Sequence, residues 1–360
     1  MFISCLTMKI LVAMSGGVDS SVAAYLMKER GCDCVGVTMR LFANEDIGIS
    51  REKSCCSLDD VQDARSVAAK LEIPYYVFNF SGDFKAQVID RFTGAYACGR
   101  TPNPCIDCNR YLKFARLYER AQLMGCDAVV TGHYARIGQE NGRWVLKKAL
   151  DPSKDQSYVL YALTQEQLAH TRLPLGEFEK SDTRKIAEQM GFFNAHKPDS
   201  QDICFVPDGD YAAFIERTTG RTYPAGNFVD EDGNVLGRHR GIIHYTVGQR
   251  RGLGIAAETP LYVKRIDPEK NEVVLCRDEA LYAPALTAKE LNWMAFDTPP
   301  QTFRASAKIR YRHPEQPCTV TALPDGRVQV EFDQPQRAAT PGQAVVFYDG
   351  DTVLGGGVIE

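Results

Sequence analysis

The chain has 360 residues, with 42 Lys plus Arg against 46 Asp plus Glu and a net charge of −4. At about 150 residues per domain this length predicts roughly two to three domains, which can bury about three quarters of their surface without disulfide staples. With 44% hydrophobic and 24% charged residues, the composition excludes a disordered chain, a collagen, a coiled coil and a highly basic nucleic-acid tail.

Residues 1–14 (MFISCLTMKILVAM) lack a basic leading region and a small-residue cleavage site, so no signal peptide is expected, and Met8 is an alternative start. No run reaches the ~18 apolar residues needed to span a bilayer. The expected setting is a reducing cytoplasm with no membrane association. There the twelve cysteines, several paired as Cys32/Cys34, Cys55/Cys56 and Cys105/Cys108, point to sulfur or metal chemistry more than to structural bridges.

Segments 9–14, 34–39, 75–80 and 127–131 are β-branched or aromatic and almost wholly apolar, as parallel strands covered on both faces are. Between them, 18–30 carries apolar residues at helical spacing and stops at Gly31. Residues 57–72 open with a Ser57/Asp60 capping box and stack Val61, Ala64, Ala68 and Leu71 on one face. Strand alternating with helix predicts a doubly wound parallel sheet, an α/β fold. After about residue 205, glycine, proline and short alternating segments take over. Residues 226–237 and 260–276 read as hairpins, and Phe303, Ala305, Ala307, Ile309 and Tyr311 alternate with polar partners in a strand-rich C-terminus. The expected organisation is an α/β catalytic domain over 1–205, a small β-rich domain over 206–283 and a β-barrel over 284–360.

Directly after the first strand comes Ser15-Gly16-Gly17-Val18-Asp19-Ser20-Ser21, leading into a helix. Two glycines let the backbone approach a phosphate, the hydroxyls of Ser15, Ser20 and Ser21 can donate to it, and a helix N-terminus favours the anion. There is no lysine for a Walker A loop and no third glycine for the dinucleotide fingerprint. Further on, Pro102 and Pro104 stiffen a loop and 109–124 reads as a helix. Cys108 is therefore expected at a helix N-terminus, exposed and with a lowered thiol pKa.

The Ser-Gly-Gly-Val-Asp-Ser loop resembles the PP-loop of ATP pyrophosphatases, which transfer AMP to a carbonyl oxygen and release pyrophosphate. More motifs narrow the match: Thr101 to Asn109 (TPNPCIDCN), Thr131 to Arg136 (TGHYAR), Lys154 to Tyr158 (KDQSY), Asp199 to Phe205 (DSQDICF), His244 to Gly254 (HYTVGQRRGLG) and Arg310 to Arg312 (RYR). In order over the whole chain, they resemble the tRNA-specific 2-thiouridylase family. That resemblance implies adenylation of the C2 oxygen of a wobble uridine in tRNA, followed by replacement of that oxygen with sulfur.

By the same resemblance, Cys108 is the nucleophile, Cys204 the persulfide carrier, and the two form a catalytic disulfide during turnover. Ala13, Met14, Ser15, Gly16, Gly17, Val18, Asp19, Ser20, Met39 and Gly132 are assigned to ATP, with Asp19 helping to hold Mg²⁺. Asn103, Pro104 and Cys105 fall to the target base. His133, Lys154, Asp155, Gln156, Arg310, Tyr311 and Gln343 fall to tRNA. The implied partners are tRNA and a sulfur donor, either a cysteine desulfurase or a sulfur-relay protein. One departure is notable: Cys105 stands where some members have Asp, so Cys105, Cys108 and Cys204 are also a three-thiolate ligand set for an iron–sulfur cluster or zinc.

Whole-chain charge hides basic stretches. Residues 233–257 hold Arg238, Arg240, Arg250 and Arg251 with His239, His244 and Tyr245 and no acid, and 304–312 hold Arg304, Lys308, Arg310 and Arg312, also with no acid. The rival readings are a PP-loop synthetase acting on a small molecule, which would not need Cys108 or Cys204, and a tRNA-binding module with a degenerate nucleotide site.

Overall fold

A computed structural model describes residues 8–42, 58–199 and 203–360. Ser57 of the expected capping box, Cys5, Cys55, Cys56 and residues 200–202 lie outside the described residues. The chain divides into two compact units. The first takes residues 1–88, 105–209 and 351–353; the second takes 89–104, 210–350 and 354–360.

The first unit is built on a five-stranded parallel sheet of β1 (Lys9–Ala13), β2 (Asp33–Arg40), β3 (Tyr75–Asn79), β4 (Ala128–Val130) and β7 (Thr171–Arg172), in the order β3-β2-β1-β4-β7. Ile10, Leu11 and Val12 of the central β1 are all fully buried, as a strand covered on both faces must be. Helix α1 (Val18–Glu29) buries Val22, Ala23 and Met27 against that sheet and ends where Gly31 takes φ +81, a left-handed cap that glycine adopts without a Cβ penalty. Helices α2 (Leu58–Lys70) and α3 (Lys180–Gln189) add Ala64, Ala68 and Ala187 to the same core. Strand β3 departs from expectation. It is an edge strand with Tyr76 48% and Val77 41% exposed, so only one of its sides has a paired neighbour among the described strands.

A hairpin of β5 (Arg136–Glu140) and β6 (Arg143–Lys147) also belongs to this unit. Its turn is Asn141-Gly142, both at positive φ (49 and 80), the pairing a tight two-residue hairpin demands.

Because β2 follows β1 on one side and β4 lies on the other, the strand order reverses between β1 and β4. Ligands of open α/β sheets bind outside the carboxyl ends of the strands at such a reversal. The Ser15–Ser21 loop leaves the end of β1 and Gly132 follows the end of β4, so the fold brings both to that place.

In the second unit, helices Asp90–Ala97 and Tyr211–Thr219 pack through aromatic rings: Phe92 lies 6.1 Å from Tyr211 and 6.3 Å from Phe214. A four-stranded sheet is formed by β8 (Gly226–Val229), β9 (Val235–His239), β10 (Tyr262–Asp267) and β11 (Glu272–Cys276) in the order β10-β11-β8-β9. The C-terminal strands β12 (Tyr282–Trp293), β13 (Thr302–Lys308), β14 (Gln316–Ala322), β15 (Val328–Arg337), β16 (Ala344–Asp349) and β17 (Thr352–Ile359) run in the order β12-β15-β14-β13-β16-β17. A β12–β17 pairing closes the ring, with Ala288 of β12 opposite Val328 on one side and Ile359 on the other. Closure depends on glycine. A Cβ at Gly355 would lie 2.4 Å from the Asn292 carbonyl oxygen and one at Gly357 2.7 Å from that of Lys289, so only bare backbone lets β17 reach β12. The barrel interior is filled by Ala307, Val320, Val330, Val345 and Phe347, with Trp293 stacked on Phe347 at 5.7 Å.

Among the described residues no helix is long and apolar enough to cross a membrane.

Candidate active site

The loop after β1 is shaped before any ligand arrives. Gly16 has φ +76, and a Cβ there would stand 2.4 Å from the Asp60 carbonyl oxygen, so no other residue fits. Ser20 Oγ and Ser21 Oγ each donate to the Gly17 carbonyl at 3.0 Å, and Ser20 Oγ accepts from the Ser15 N–H at 3.1 Å. Asn194, buried and 178 residues away from Gly16 in sequence, donates its Nδ2 to the Gly16 carbonyl and to Ser21 Oγ, both at 2.9 Å. Two of the three hydroxyls expected to face a phosphate, Ser20 and Ser21, therefore hold the loop instead. What remains for an anion is the start of α1, where Gly17 caps without any side-chain bond and leaves the first N–H groups of a 12-residue helix open. Gly132 fits closely against it, since a Cβ there would be 2.8 Å from the Ser20 nitrogen. Met14 and Val18 are core residues, and Met14 bonds through its backbone to Val37 and Thr38. Met39 is half-buried at the penultimate position of β2.

A charge network spreads from this loop. Asp19 receives Lys180 Nζ at 2.6 and 2.8 Å and the Tyr134 hydroxyl at 2.9 Å. Burial, first, and Asp19 beside it push the Tyr134 phenol up, so it stays protonated and donates. Lys180 also pairs with Asp199 at 2.8 Å, and Asp199 pairs further with Lys154 at 2.8 Å and Arg184 at 2.9 Å. Burial alone would raise the Asp199 carboxyl, but Lys154 and Lys180 outweigh it and hold it down at about 2. A second knot fixes the loop's flank: Lys197 donates to Asp60 at 2.6 Å and Asp63 at 2.7 Å, and burial's pull on its pKa is outweighed by the two carboxylates, leaving it raised. Of these residues the sequence analysis singled out only Asp19, Asp60 and Lys154 for a role. Tyr134 and Asp199 lay inside quoted motifs without one. Lys180 carried no signal, because its partner Asp19 is 161 residues away.

The cysteines require a correction. The helical run starts at Pro104, in helix Pro104–Asp107, and passes into a π-helical stretch, Cys108–Arg116, before helix Leu117–Leu123. Proline suits the first turn of a helix, so the start falls one turn earlier than the sequence predicts. Cys105 takes the exposed first turn and Cys108 is buried behind it. Cys108 is not an exposed thiol with a lowered pKa. Burial, opposed by Lys113 and assisted by Cys105 and Asp107, pushes it up to about 11. Cys204 is half-buried.

Among the described residues no group of three or more His, Cys, Asp or Glu side chains is arranged to hold a metal. Asp19 remains suited to Mg²⁺ brought in by a nucleotide, since that ion takes one or two carboxylates and completes its shell with phosphates and water.

The residues assigned to tRNA divide. His133 is buried, 2.7 Å from Thr131 Oγ1 through Nδ1, and burial followed by Lys113 holds it neutral. Asp155 accepts from the Ala149 and Ser157 backbones and from Ser157 Oγ, and Gln156 Oε1 accepts from the Tyr134 N–H. Gln343 donates to the Thr101 carbonyl at 2.7 Å, and Arg310 to that of Arg337 at 3.2 Å. These side chains shape the backbone. Tyr311 stays exposed, as do Arg238, Arg240, Arg250 and Arg251, whereas Asn103 is half-buried and Pro104 buried. His239 and Tyr245 pack on Phe228 inside their unit, and Arg304 is held by both carboxylate oxygens of Asp333 at 2.8 and 2.7 Å.

Three family models match in succession: a tRNA methyl transferase HUP domain over residues 8–208, a tRNA methyl transferase PRC-barrel domain over 212–277 and an aminomethyltransferase β-barrel domain over 284–359. Curated relatives match the chain from end to end. The tRNA-specific 2-thiouridylase MnmA of Lachnoclostridium phytofermentans is 54% identical over 353 residues, covering 98% of this chain and 99% of the relative. Those of Clostridioides difficile and Symbiobacterium thermophilum are 50% and 52% identical, each over 98% of this chain and over 98% and 92% of the relative. The models' descriptions speak of methyl transfer while the full-length relatives are named for thiolation, and identity at this level over nearly every residue is the stronger guide. The chain belongs to the tRNA-specific 2-thiouridylase family.

Proposed function

We propose that this chain is a tRNA-uridine 2-sulfurtransferase that spends ATP to activate the C2 oxygen of a wobble uridine and then replaces that oxygen with sulfur, giving 2-thiouridine, AMP and pyrophosphate. The observation that carries this reading is the preformed loop at the strand-order reversal: an uncapped helix start with a lysine and a carboxylate already beside it.

A uracil carbonyl oxygen is a poor leaving group. Attack of that oxygen on the α-phosphorus of ATP expels pyrophosphate and converts the oxygen into part of an AMP leaving group. The open N–H groups of α1 would receive the polyphosphate, Lys180 would offset its charge, and Asp19 would hold Mg²⁺, which spreads charge over the departing pyrophosphate. In the proposed sulfur half, a desulfurase or relay protein loads Cys204 as a persulfide. The Cys108 thiolate attacks Cys204 Sγ and expels hydrosulfide, forming a Cys108–Cys204 disulfide. Hydrosulfide adds at C2 and AMP leaves. A thiol reductant supplies the two electrons that restore both cysteines.

Burial pushes the Cys108 thiol up to about 11, so at rest it is protonated and must be activated before it can attack in this scheme. We keep Cys105 with Asn103 and Pro104 at the target base, Lys154 and Tyr311 on tRNA, the three domains at 1–205, 206–283 and 284–360, and a cytoplasmic setting as parts of the same proposal.

Purified protein with ATP, Mg²⁺, a sulfur-donor system and unmodified tRNA is expected to yield 2-thiouridine by nucleoside mass spectrometry. No product, or full product from Cys108→Ser or Cys204→Ser, overturns the reading.

A further inference from the structure

Gly16 and Gly17 flank one peptide, and no Cβ on either side resists its turning over. Local preference therefore leaves open which way that peptide faces, yet a phosphate-binding loop must offer an N–H and not a carbonyl. The decision comes from a turn 178 residues further along. There Asn194 Nδ2 donates to the Gly16 carbonyl and to Ser21 Oγ, both at 2.9 Å, and Lys197 Nζ adds a longer contact to the same carbonyl at 3.4 Å. Lys197 is already answered by Asp60 and Asp63, so Asn194 is the chief donor. Its amide fits only one way round: the Gly16 carbonyl accepts, and Ser21 Oγ spends its hydrogen on the Gly17 carbonyl at 3.0 Å, so both need a donor opposite. The remaining Oδ1 is buried and takes no hydrogen bond from the described residues, so the side chain is held for what it donates. The turn itself is firmly mounted. Phe192 and Ala195 lie in the core shared with β1 and α1, and Arg184 of α3 donates to the Ala195 and Lys197 carbonyls at 3.1 and 3.3 Å.

We propose that Asn194 is a positioning residue: it holds the Gly16–Gly17 peptide with its carbonyl inward and so aims the Gly17 N–H at the polyphosphate. In a trans peptide the carbonyl and the following N–H point opposite ways, and no described peptide is cis. With the Gly16 oxygen drawn towards buried Asn194, the N–H of half-buried Gly17 points away from that core. Ser20 and Ser21 act likewise one peptide on, since their grip on the Gly17 carbonyl turns the Val18 N–H the other way. Two successive N–H groups are thereby set before a ligand arrives. Without the Asn194 amide the peptide is free to turn over and present the Gly16 oxygen, which repels a phosphate. Lys197, at 3.4 Å and shared with two carboxylates, is a weak substitute. This inference rests on the proposed ATP-dependent function and assigns a residue to its phosphate-binding step.

The test uses the full chain, with ATP and inorganic pyrophosphate as probes in isothermal titration calorimetry and with steady-state formation of 2-thiouridine. Asn194→Leu keeps the approximate shape without charge or donor, and Asn194→Gln keeps the donor on a longer arm. Asn194→Leu is expected to weaken both probes about tenfold or more, the loss of one hydrogen bond to a charged group. Its KM for ATP is expected to rise by a like factor, while kcat at saturating ATP and KM for tRNA stay within about twofold, as loss of uniform binding requires. Asn194→Gln is expected to recover part of the affinity. Independently of any variant, saturating pyrophosphate is expected to slow hydrogen exchange at the Gly17 and Val18 amides of the wild type. Unchanged exchange there with pyrophosphate bound, or probe affinities in Asn194→Leu within about twofold of wild type, overturns the positioning role while leaving the proposed function standing. So does a general loosening of the fold, in which kcat falls, KM for tRNA rises with that for ATP and glutamine recovers nothing. A wild type that binds neither ATP nor pyrophosphate overturns both.

Discussion

The nucleotide loop and the Cys108 helix belong to the same compact unit, yet they are prepared to very different degrees. Around the loop, Ser20, Ser21 and Asn194 fix the backbone, and Lys180 already stands beside Asp19. Around Cys108, burial outweighs the single favourable charge of Lys113 and keeps the thiol neutral. The neighbouring Asn109 donates Nδ2 to the Val159 carbonyl at 3.0 Å but leaves its buried Oδ1 without a partner. Such an orphaned acceptor costs about 1–3 kcal/mol, and π-helical turns recur where a helix is under functional strain. The contrast teaches that the loop is assembled at rest, while the proposed mechanism requires the surroundings of Cys108 to change before its thiol reacts.

The largest expected effect tests the sulfur half: Cys108→Ser abolishes 2-thiouridine while calorimetry still finds ATP bound. Loss of ATP binding in that variant would show that the two halves are not separable. Next comes pH. Because burial raises the Cys108 pKa, its charged form appears only as pH climbs towards about 11, so its alkylation in the free protein is expected to rise about tenfold per pH unit from 7 to 10. A plateau near neutrality would mean the thiol is already activated and would erase the contrast.

On the loop side, Gly132→Ala places a methyl group 2.8 Å from the Ser20 nitrogen and is expected to weaken ATP binding about tenfold, some 1.4 kcal/mol, by calorimetry. Tyr134→Phe removes one hydrogen bond to Asp19 and is expected to lower ATP-dependent turnover about fivefold, in line with the roughly 1 kcal/mol such a bond contributes. The smallest effect belongs to the barrel. Arg304→Ala breaks an exposed pair with Asp333 and is expected to cost under about 1 kcal/mol in denaturant unfolding and to leave tRNA affinity within about twofold.

Much of the fold was legible because it is written in local periodicity. The buried run Ile10 to Val12, the glycine at 31 and the alternation from Phe303 to Ala307 each report one element from its own residues, although that strand stops at Lys308, before Ile309 and Tyr311. The Asn141-Gly142 hairpin is equally legible, since Asn-Gly suits the positive φ that a two-residue turn demands. Basic stretches misled for the opposite reason. Arg304 lies in a run without acids, but its partner Asp333 sits on a strand 29 residues away, and only strand pairing brings them together.

The sequence by itself determined the parallel sheet, the glycine-bearing loop after its first strand, the later β-rich half, and, through ordered motifs, the family. Those features depend on residue type and spacing along the chain. Only the tertiary structure decided which hydroxyls the loop consumes internally, that Cys108 is buried with its thiol raised, and that Lys180 and Asp199 join a loop some 161 to 180 residues upstream. Burial and charge are set by what comes near in space, and a lysine carries no mark of the carboxylate that folding will place 2.6 Å from it.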